Sequence, residues 1–341
     1  MTPRRIIGVE KNYDWGDEIT IRHTLGFPSE RGTKIAELWW GTHPQGPSHL
    51  DTIRGGPLLQ DVAGEMTMLV KLLACAQPLS LQTHPTQQQA REGFAREEVL
   101  GIPRDAPQRM YKDESDKPEM IIALSRFEAL CGFAPIDKSV RFLKSIGWRR
   151  EAKVLADTGI SGYLTWAFQQ DKKLRFWRAP KWMKNLRLLH PNDPALRIVP
   201  LLNHVVLNEG EALALPAGNL HAYLHGFGLE IMNSSDNVIR AGFTSKHVDV
   251  DELLRIVDTT PLLEPVVHVD ENGMYPSPSP EFTVGVASVV DDFLNHHRIA
   301  YGQFGDWDKT FRTLRHAEPV FIEAGTRADF PSHFGDVCVQ N

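Results

Sequence analysis

Polar and apolar residues alternate in the stretch PLSLQTHPTQQQ, residues 78–89. On a strand, successive side chains point to opposite faces, so Leu79, Leu81 and Thr83 share one side and Ser80, Gln82 and His84 the other. The stretch follows MLVKLLACAQ, which reads as buried. A hydroxyl, an amide and an imidazole in one row inside an apolar region cost free energy unless something satisfies them. That face meets either water or a ligand. Glu119, at the head of the apolar run EMIIAL, and Lys71, inside MLVKLLAC, raise the same question, because either charge is costly to bury unpaired.

The elements that must position these residues fall into blocks. Residues 1–135 mix short apolar runs with Gly and Pro turns (IAELWWGTHPQGPS, MTMLVKLLAC, KPEMIIAL, FEALCGFAP), which are mainly strand signals. One helix interrupts them: Thr86 with Gln89 makes a capping box ahead of QAREGFAREEVLG, with an end expected near Gly101. Residues 136–198 carry apolar residues at helical spacing and read as a helical insertion. Strands resume at 199–260, where Asp249 and Glu252 suggest another capping box before DELLRIVD. The run YPSPSPEF, residues 275–282, reads as a linker or a turn between sheets, and 261–341 as a C-terminal β domain.

The whole chain sets limits on function. It has 341 residues, 42% hydrophobic and 23% charged, an ordinary balance for a soluble globular protein of about two domains. A net charge of -6 argues against nucleic-acid or membrane partners, and an anionic substrate would need a local cationic pocket. Cys75, Cys131 and Cys338 lack the paired spacing of a zinc or redox motif and fit a reducing compartment. The opening MTPRRIIGVE has too short an apolar run for a signal peptide, and no stretch approaches the roughly 20 apolar residues of a membrane span. A cytoplasmic protein is expected.

Gly210, Pro216, Gly218 and His221 in EGEALALPAGNLHAYLHG form the pattern G-x5-P-x-G-x2-H. The glycines and proline shape a hairpin that delivers His221 back toward a sheet. The pattern resembles the second motif of cupins, double-sheet jelly rolls that bind a metal inside the barrel. The asparagine that usually follows four residues later is His225 here, so the match is partial. Cupins draw further ligands from an earlier hairpin. Gln82 and His84, two apart on one face, could both reach one ion, and Glu119 would supply the acidic ligand.

More of the chain is familiar. AELWWGTHPQGPS, LSLQTHP, KPEMIIAL, CGF, LPAGNLHAYLHG and SDNVIRAGFTSK, in this order between about residue 5 and about residue 285, resemble the type I mannose-6-phosphate isomerases, zinc-dependent members of the cupin superfamily. The resemblance implies a mainly β fold with α elements. It has cupin-type jelly-roll barrels, a helical insertion at 136–198, and a catalytic domain formed by 1–135 and 199–260. It implies one Zn2+ per chain, held by Gln82, His84, Glu119 and His221, and an active-site arginine, Arg240. Two departures stand out. Asp116 replaces the histidine that commonly precedes the lysine of KPEM, and the text after EFTVGVASV does not match the family's closing strands, which points to an incomplete or remodelled C-terminal barrel.

The chemistry so implied is aldose–ketose isomerisation of mannose 6-phosphate and fructose 6-phosphate. A proton moves between C2 and C1 through an enediol(ate), so a base must take it and positive charge must stabilise the oxygen. With Gln82 neutral, one carboxylate against Zn2+ leaves a net charge of about +1, which keeps the site electrophilic. Arg240 is assigned to charge stabilisation. Ser80, Lys71, Lys117, Asp236 and Lys246 are assigned to contacts with a phosphorylated hexose, the expected partner of a monomer or weak homo-oligomer. Each has a blander reading: Lys71 as a snorkelling edge-strand lysine, Lys117 paired only with Glu119, Asp236 and Arg240 as a surface ion pair. The rival functions are a non-catalytic cupin that binds a sugar or phosphorylated metabolite, and an iron-dependent cupin oxygenase.

Overall fold

The computed structural model describes residues 4–26, 28, 32–50, 56–171, 173–286, 298–303, 317–322 and 337–340. Its centre is the strand His221–Asn233, which serves two layers. The first half, from His221 to His225, pairs with Leu81–Thr83 on one side and Phe127–Phe133 on the other. The second half, from Gly226 to Asn233, runs between Met68–Cys75 and Glu119–Ala123. The change of partners falls at Gly226, whose φ is 135°, and a Cβ there would lie 2.7 Å from the Phe127 ring. Only glycine has both the conformational freedom and the space for this bend. A register shift between Tyr223 and His225 adds to the curl.

The result is two facing sheets, as expected of a jelly roll. Alternation then sorts the side chains. On Met68–Cys75 the even residues Met68, Val70, Leu72 and Ala74 pack outward with Trp40, Met120, Ile122, Leu229 and Ile231. The odd residues turn inward, where Leu73 and Cys75 meet Ile121, Phe127, Cys131, Leu213 and Tyr223. The smaller sheet does the same in mirror image. Its outer residues Leu81, Leu130, Ala222, Leu224 and Ile239 pack under the helices. Those helices are Ile136–Ser145, Arg149–Phe168 and Lys181–Leu189, followed by 3-10 turns at Pro194–Arg197 and Val199–Leu201, so the helical insertion lies where its periodicity placed it. Gly159, with φ 68°, breaks the middle helix.

Behind the larger sheet, a second one orders Met274–Tyr275, Thr283–Val286, Val337–Gln340, Arg298–Gln303, Ala317–Ile322, Arg4–Ile7 and His49–Leu50. The C-terminal region therefore contributes strands although its sequence departs from the family pattern; much of 287–341, including the Cys338 side chain, lies outside the described residues. Three local expectations need correction. The YPSPSPEF segment connects two strands of one sheet rather than two sheets, since Met274 and Tyr275 pair with Gly285 and Val284. Two short helices, Thr20–Thr24 and Leu59–Ala63, interrupt a region read as strands. Asp249 does cap its helix through the Glu252 amide, but the Glu252 side chain turns away to Tyr111, Arg96 and Arg255, so no box closes. The Thr86–Gln89 box is complete, and its helix Gln87–Val99 ends just before Gly101, with φ 66°.

Candidate active site

Register brings the polar row to its partners. Gln82 stands opposite His221 on one neighbour and Arg240 on the other, so the three side chains emerge on the same inward face. His84 follows just past the strand end. Glu119 enters from the facing sheet, opposite Met232 and Leu215. Ser80, one step back along the row, donates its hydroxyl to Gln82 Oε1 at 2.9 Å.

His84, Glu119 and His221 are buried and converge, each offering one atom within 4.8 Å of the others'. Glu119 Oε1 lies 3.3 Å from His84 Nε2, and Oε2 lies 3.2 Å from His221 Nε2. Neither contact is a hydrogen bond, and His84 Nε2, His221 Nε2 and Glu119 Oε2 are all buried without a partner. The reason is tautomeric. His84 Nδ1 donates to the Asn237 carbonyl at 2.6 Å and His221 Nδ1 to the Asn219 carbonyl at 3.0 Å. With the proton on Nδ1 of each ring, Nε2 presents a lone pair. Burial lowers the His84 pKa to about 4, and the Lys117 ammonium adds to the effect, so the ring is neutral near pH 7. Burial alone would raise the Glu119 pKa, but the Lys117 ammonium, 3.1 Å from Oε1, outweighs it and holds the carboxyl well below the usual carboxylate range. Two imidazole lone pairs thus face a carboxylate with no hydrogen between them. A cation resolves that arrangement, and the set of two nitrogens and a carboxylate oxygen, with the Gln82 amide oxygen on the same face, fits zinc.

Beyond Gln82 lies positive charge. Arg240 is half-buried, burial lowers its pKa, and among the described residues its guanidinium has no hydrogen bond or ion pair. The Lys246 pKa is lowered by partial burial and then by the neighbouring charges of Arg240 and Lys112. Lys112 was not singled out from sequence. It sits in a polar loop without periodicity, and only the fold brings it near Lys246.

Other expected site residues are engaged elsewhere. Lys71 is buried on a central strand, between Trp39 and Glu230, not on an edge. Its ammonium lies 3.0 Å from Glu230 and 5.2 Å from the Trp39 ring centre; burial would lower its pKa, but Glu230 and Glu37 raise it. Asp236 does not pair with Arg240. Its carboxylate accepts from Gln45 Nε2 at 2.6 Å and lies 3.6 Å from His43 Nε2. His43 Nδ1 accepts the Gln45 amide at 3.2 Å, so Nε2 carries the proton toward Asp236. Neither His43 nor Gln45 stood out in GTHPQGPS. Asp116 accepts from Asn233 Nδ2 at 2.9 Å, and its pKa is raised by burial. His225 is exposed at the strand bend and stays apart from the cluster. It lines a surface cleft of about 550 Å³ beside helix Lys181–Leu189, which contains none of the other expected site residues.

Comparison with known proteins agrees with this geometry. Residues 4–136 match the model of the phosphomannose isomerase type I catalytic domain. The mannose-6-phosphate isomerase of Salmonella typhimurium is 33% identical over 294 residues, covering 76% of this chain and 75% of that protein. Mannose-6-phosphate isomerase 1 of Arabidopsis thaliana is 30% identical over 310 residues, covering 73% and 69%. Among solved structures, a mannose 6-phosphate isomerase bound with zinc and yttrium superimposes with a TM-score of 0.84 at 28% identity, over 100% of both chains. The Salmonella typhimurium enzyme bound to fructose 6-phosphate and zinc gives 0.82 at 27% identity, again over 100% of both. Convergent buried side chains that could hold a metal, a jelly roll with a helical insertion and relatives of this extent lead to one assignment: the chain belongs to the type I phosphomannose isomerase family.

Proposed function

We propose that this chain interconverts mannose 6-phosphate and fructose 6-phosphate with one zinc ion held by Gln82, His84, Glu119 and His221. The observation that carries the reading is the trio of buried acceptor atoms, His84 Nε2, His221 Nε2 and Glu119 Oε2, aimed at one another with no donor. When bound, the ion supplies Lewis-acid polarisation of the sugar oxygens and keeps the site positive.

The chain's own groups supply the rest. The two carbonyls of Asn237 and Asn219 keep the Nδ1 protons in place and so keep both Nε2 lone pairs aimed inward. Arg240, fixed beside Gln82 by strand register, offers an unneutralised guanidinium to the charge that develops on the sugar oxygen. Lys246 and Lys112 lie beyond it, where a phosphate would be drawn. Lys117 and Ser80 border the ligand face, and Asp236, oriented by Gln45 and His43, offers an acceptor to a sugar hydroxyl. Lys71 reaches the substrate only if its ammonium is shared with Glu230.

The catalytic unit is assigned to 1–135 with 199–260, and the helical insertion backs its smaller sheet. The assembly is read as a monomer or a weak homo-oligomer. Cys75 and Cys131 are buried and free, which supports a reducing, cytoplasmic setting; among the described residues no helix is long and apolar enough to cross a membrane.

Metal analysis together with a coupled assay from mannose 6-phosphate to fructose 6-phosphate tests the reading. About one zinc per chain, activity lost to a chelator and activity restored by Zn2+ are expected. Full turnover in metal-free protein would overturn it, and zinc binding without turnover would identify the non-catalytic cupin instead.

A further inference from the structure

Asn237 lies in the connection between His221–Asn233 and Ile239–Gly242 and is 0% exposed. Its backbone carbonyl is the acceptor that fixes the His84 tautomer. Its side chain faces the other way, into the loop before Lys117. Oδ1 accepts the amides of Lys112 at 2.7 Å and Asp113 at 3.2 Å. Nδ2 donates to the carbonyls of Asp113 at 2.9 Å and Ser115 at 2.8 Å, and to Asp113 Oδ1 at 3.1 Å. An amide has two acceptor positions and two hydrogens, so all of its capacity is used and one hydrogen is shared. The opposing turn replies in kind: Asp113 Oδ1 accepts from the Ser235 hydroxyl at 2.8 Å, and Oδ2 accepts the Asp236 amide at 2.9 Å.

We propose that Asn237 is a positioning residue that couples the two ends of the substrate, its carbonyl aiming the metal-side histidine and its side chain holding Lys112 toward the phosphate. The inference rests on the isomerase reading for its substrate. Only a side-chain carboxamide serves both amides and both carbonyls, and glutamine carries it one methylene farther from the backbone. An aspartate at 237 would lose the donors and set a second carboxylate against Asp113, and an alanine would leave the Lys112 and Asp113 amides without their acceptor. The carbonyl that holds His84 belongs to the backbone and survives either substitution. The two ends are therefore separable by experiment.

In the zinc-loaded full chain, Asn237→Ala should raise KM for mannose 6-phosphate about tenfold and weaken inhibition by inorganic phosphate equally, while kcat changes by less than about threefold. Zinc content should stay at the wild-type level. Lys112→Ala should reproduce the KM effect, and the double variant should be no worse than either single one, because both remove the same contact. In the wild-type protein the amides of Lys112 and Asp113 should exchange with deuterium as slowly as strand amides, a measurement that decides the matter even if Asn237→Ala does not fold. The proposal is overturned by fast exchange at those amides, by an unchanged KM, by multiplying KM effects in the double variant, or by loss of zinc in step with activity. A wild-type protein without isomerase activity would remove the assigned substrate, and the exchange measurement would still decide the clamp.

Discussion

Two clusters of buried charge lie close together in this molecule, and they are built on opposite principles. In one, Glu252 accepts from Tyr111 Oη, from Arg96 at 2.8 Å and from Arg255 at 2.5 Å. Beside it Arg109 bridges Glu97 at 2.9 Å and Glu98 at 2.7 Å, while Glu97 also accepts the amides of Met110 and Tyr111. Every acceptor there meets a donor, and the network pins residues 109–111 between two helices. In the other cluster, Glu119 meets two imidazole nitrogens whose protons have been drawn to the far side of each ring. A satisfied buried carboxylate holds a fold together. One that faces lone pairs is kept for something the chain does not itself contain.

The sharpest way to break that comparison is to give each cluster the same change. Glu119→Gln should lower isomerase activity by about 10³-fold or more through loss of the metal's charge partner. The metal-free variant should nevertheless be about as stable as metal-free wild type, because the new amide, its oxygen kept toward Lys117, sets an N–H donor against the His221 lone pair in exchange for the lost ion pair. Glu252→Gln should do the reverse, costing about 1–3 kcal/mol of stability with zinc content and turnover unchanged. Urea denaturation, metal content and the coupled assay on both variants measure this. A metal-free Glu119→Gln protein that unfolds more easily than wild type would show that the trio was satisfied after all.

Lys71 and Glu230 form an intermediate case, a buried pair on the inward face of the larger sheet. Lys71→Met alone should cost about 3 kcal/mol, since it leaves Glu230 buried and unpaired, while Lys71→Met with Glu230→Leu should recover most of the loss. Activity separates the two readings of this lysine. A double variant that is stable and active makes the pair structural, whereas one that is stable and inactive makes Lys71 a substrate contact.

What sequence could show followed from distance along the chain. Alternation over residues 78–84 was enough to put Ser80, Gln82 and His84 on one face, and the Gly–Pro hairpin was enough to aim His221. The helical insertion and the Thr86 cap are equally local. Glu252 looked like the far member of a capping box because the spacing from Asp249 is local too, but its side-chain partner Tyr111 lies 141 residues away. Asn237 reaches Lys112 across 125 residues, with nothing in SSDNV to mark it. Lys71 sits in a run of apolar residues that reads the same on an edge strand as on a central one. Gly226 gave no sign that a single strand would change partners there.

The last comparison is between the two clusters as pH falls, in protein stripped of metal. The folded pKa of His84 is about 4, lowered from an ordinary value of 6.5 by burial first and then by Lys117. An unfolded chain takes up this proton near pH 6.5, whereas the folded one resists it until about pH 4. Over that window the unfolded state binds more protons, so the stability present above pH 6.5 drains away as pH falls. Each unit corresponds to about 1.4 kcal/mol, so a drop from about pH 6.5 to about pH 5 should remove about 2 kcal/mol. His84→Gln, which cannot titrate, should flatten this part of the curve. Adding Zn2+ to the wild type should raise stability without flattening this part of the curve, because the ion keeps the proton off the folded ring while the unfolded chain still takes it up near pH 6.5. The other cluster should contribute little to this window, because Glu252 lies below the carboxylate range through its arginine and tyrosine partners despite burial acting the other way. Urea midpoints of metal-free wild type and His84→Gln across this range measure the difference, and parallel curves would mean that the His84 ring is already protonated in the folded chain.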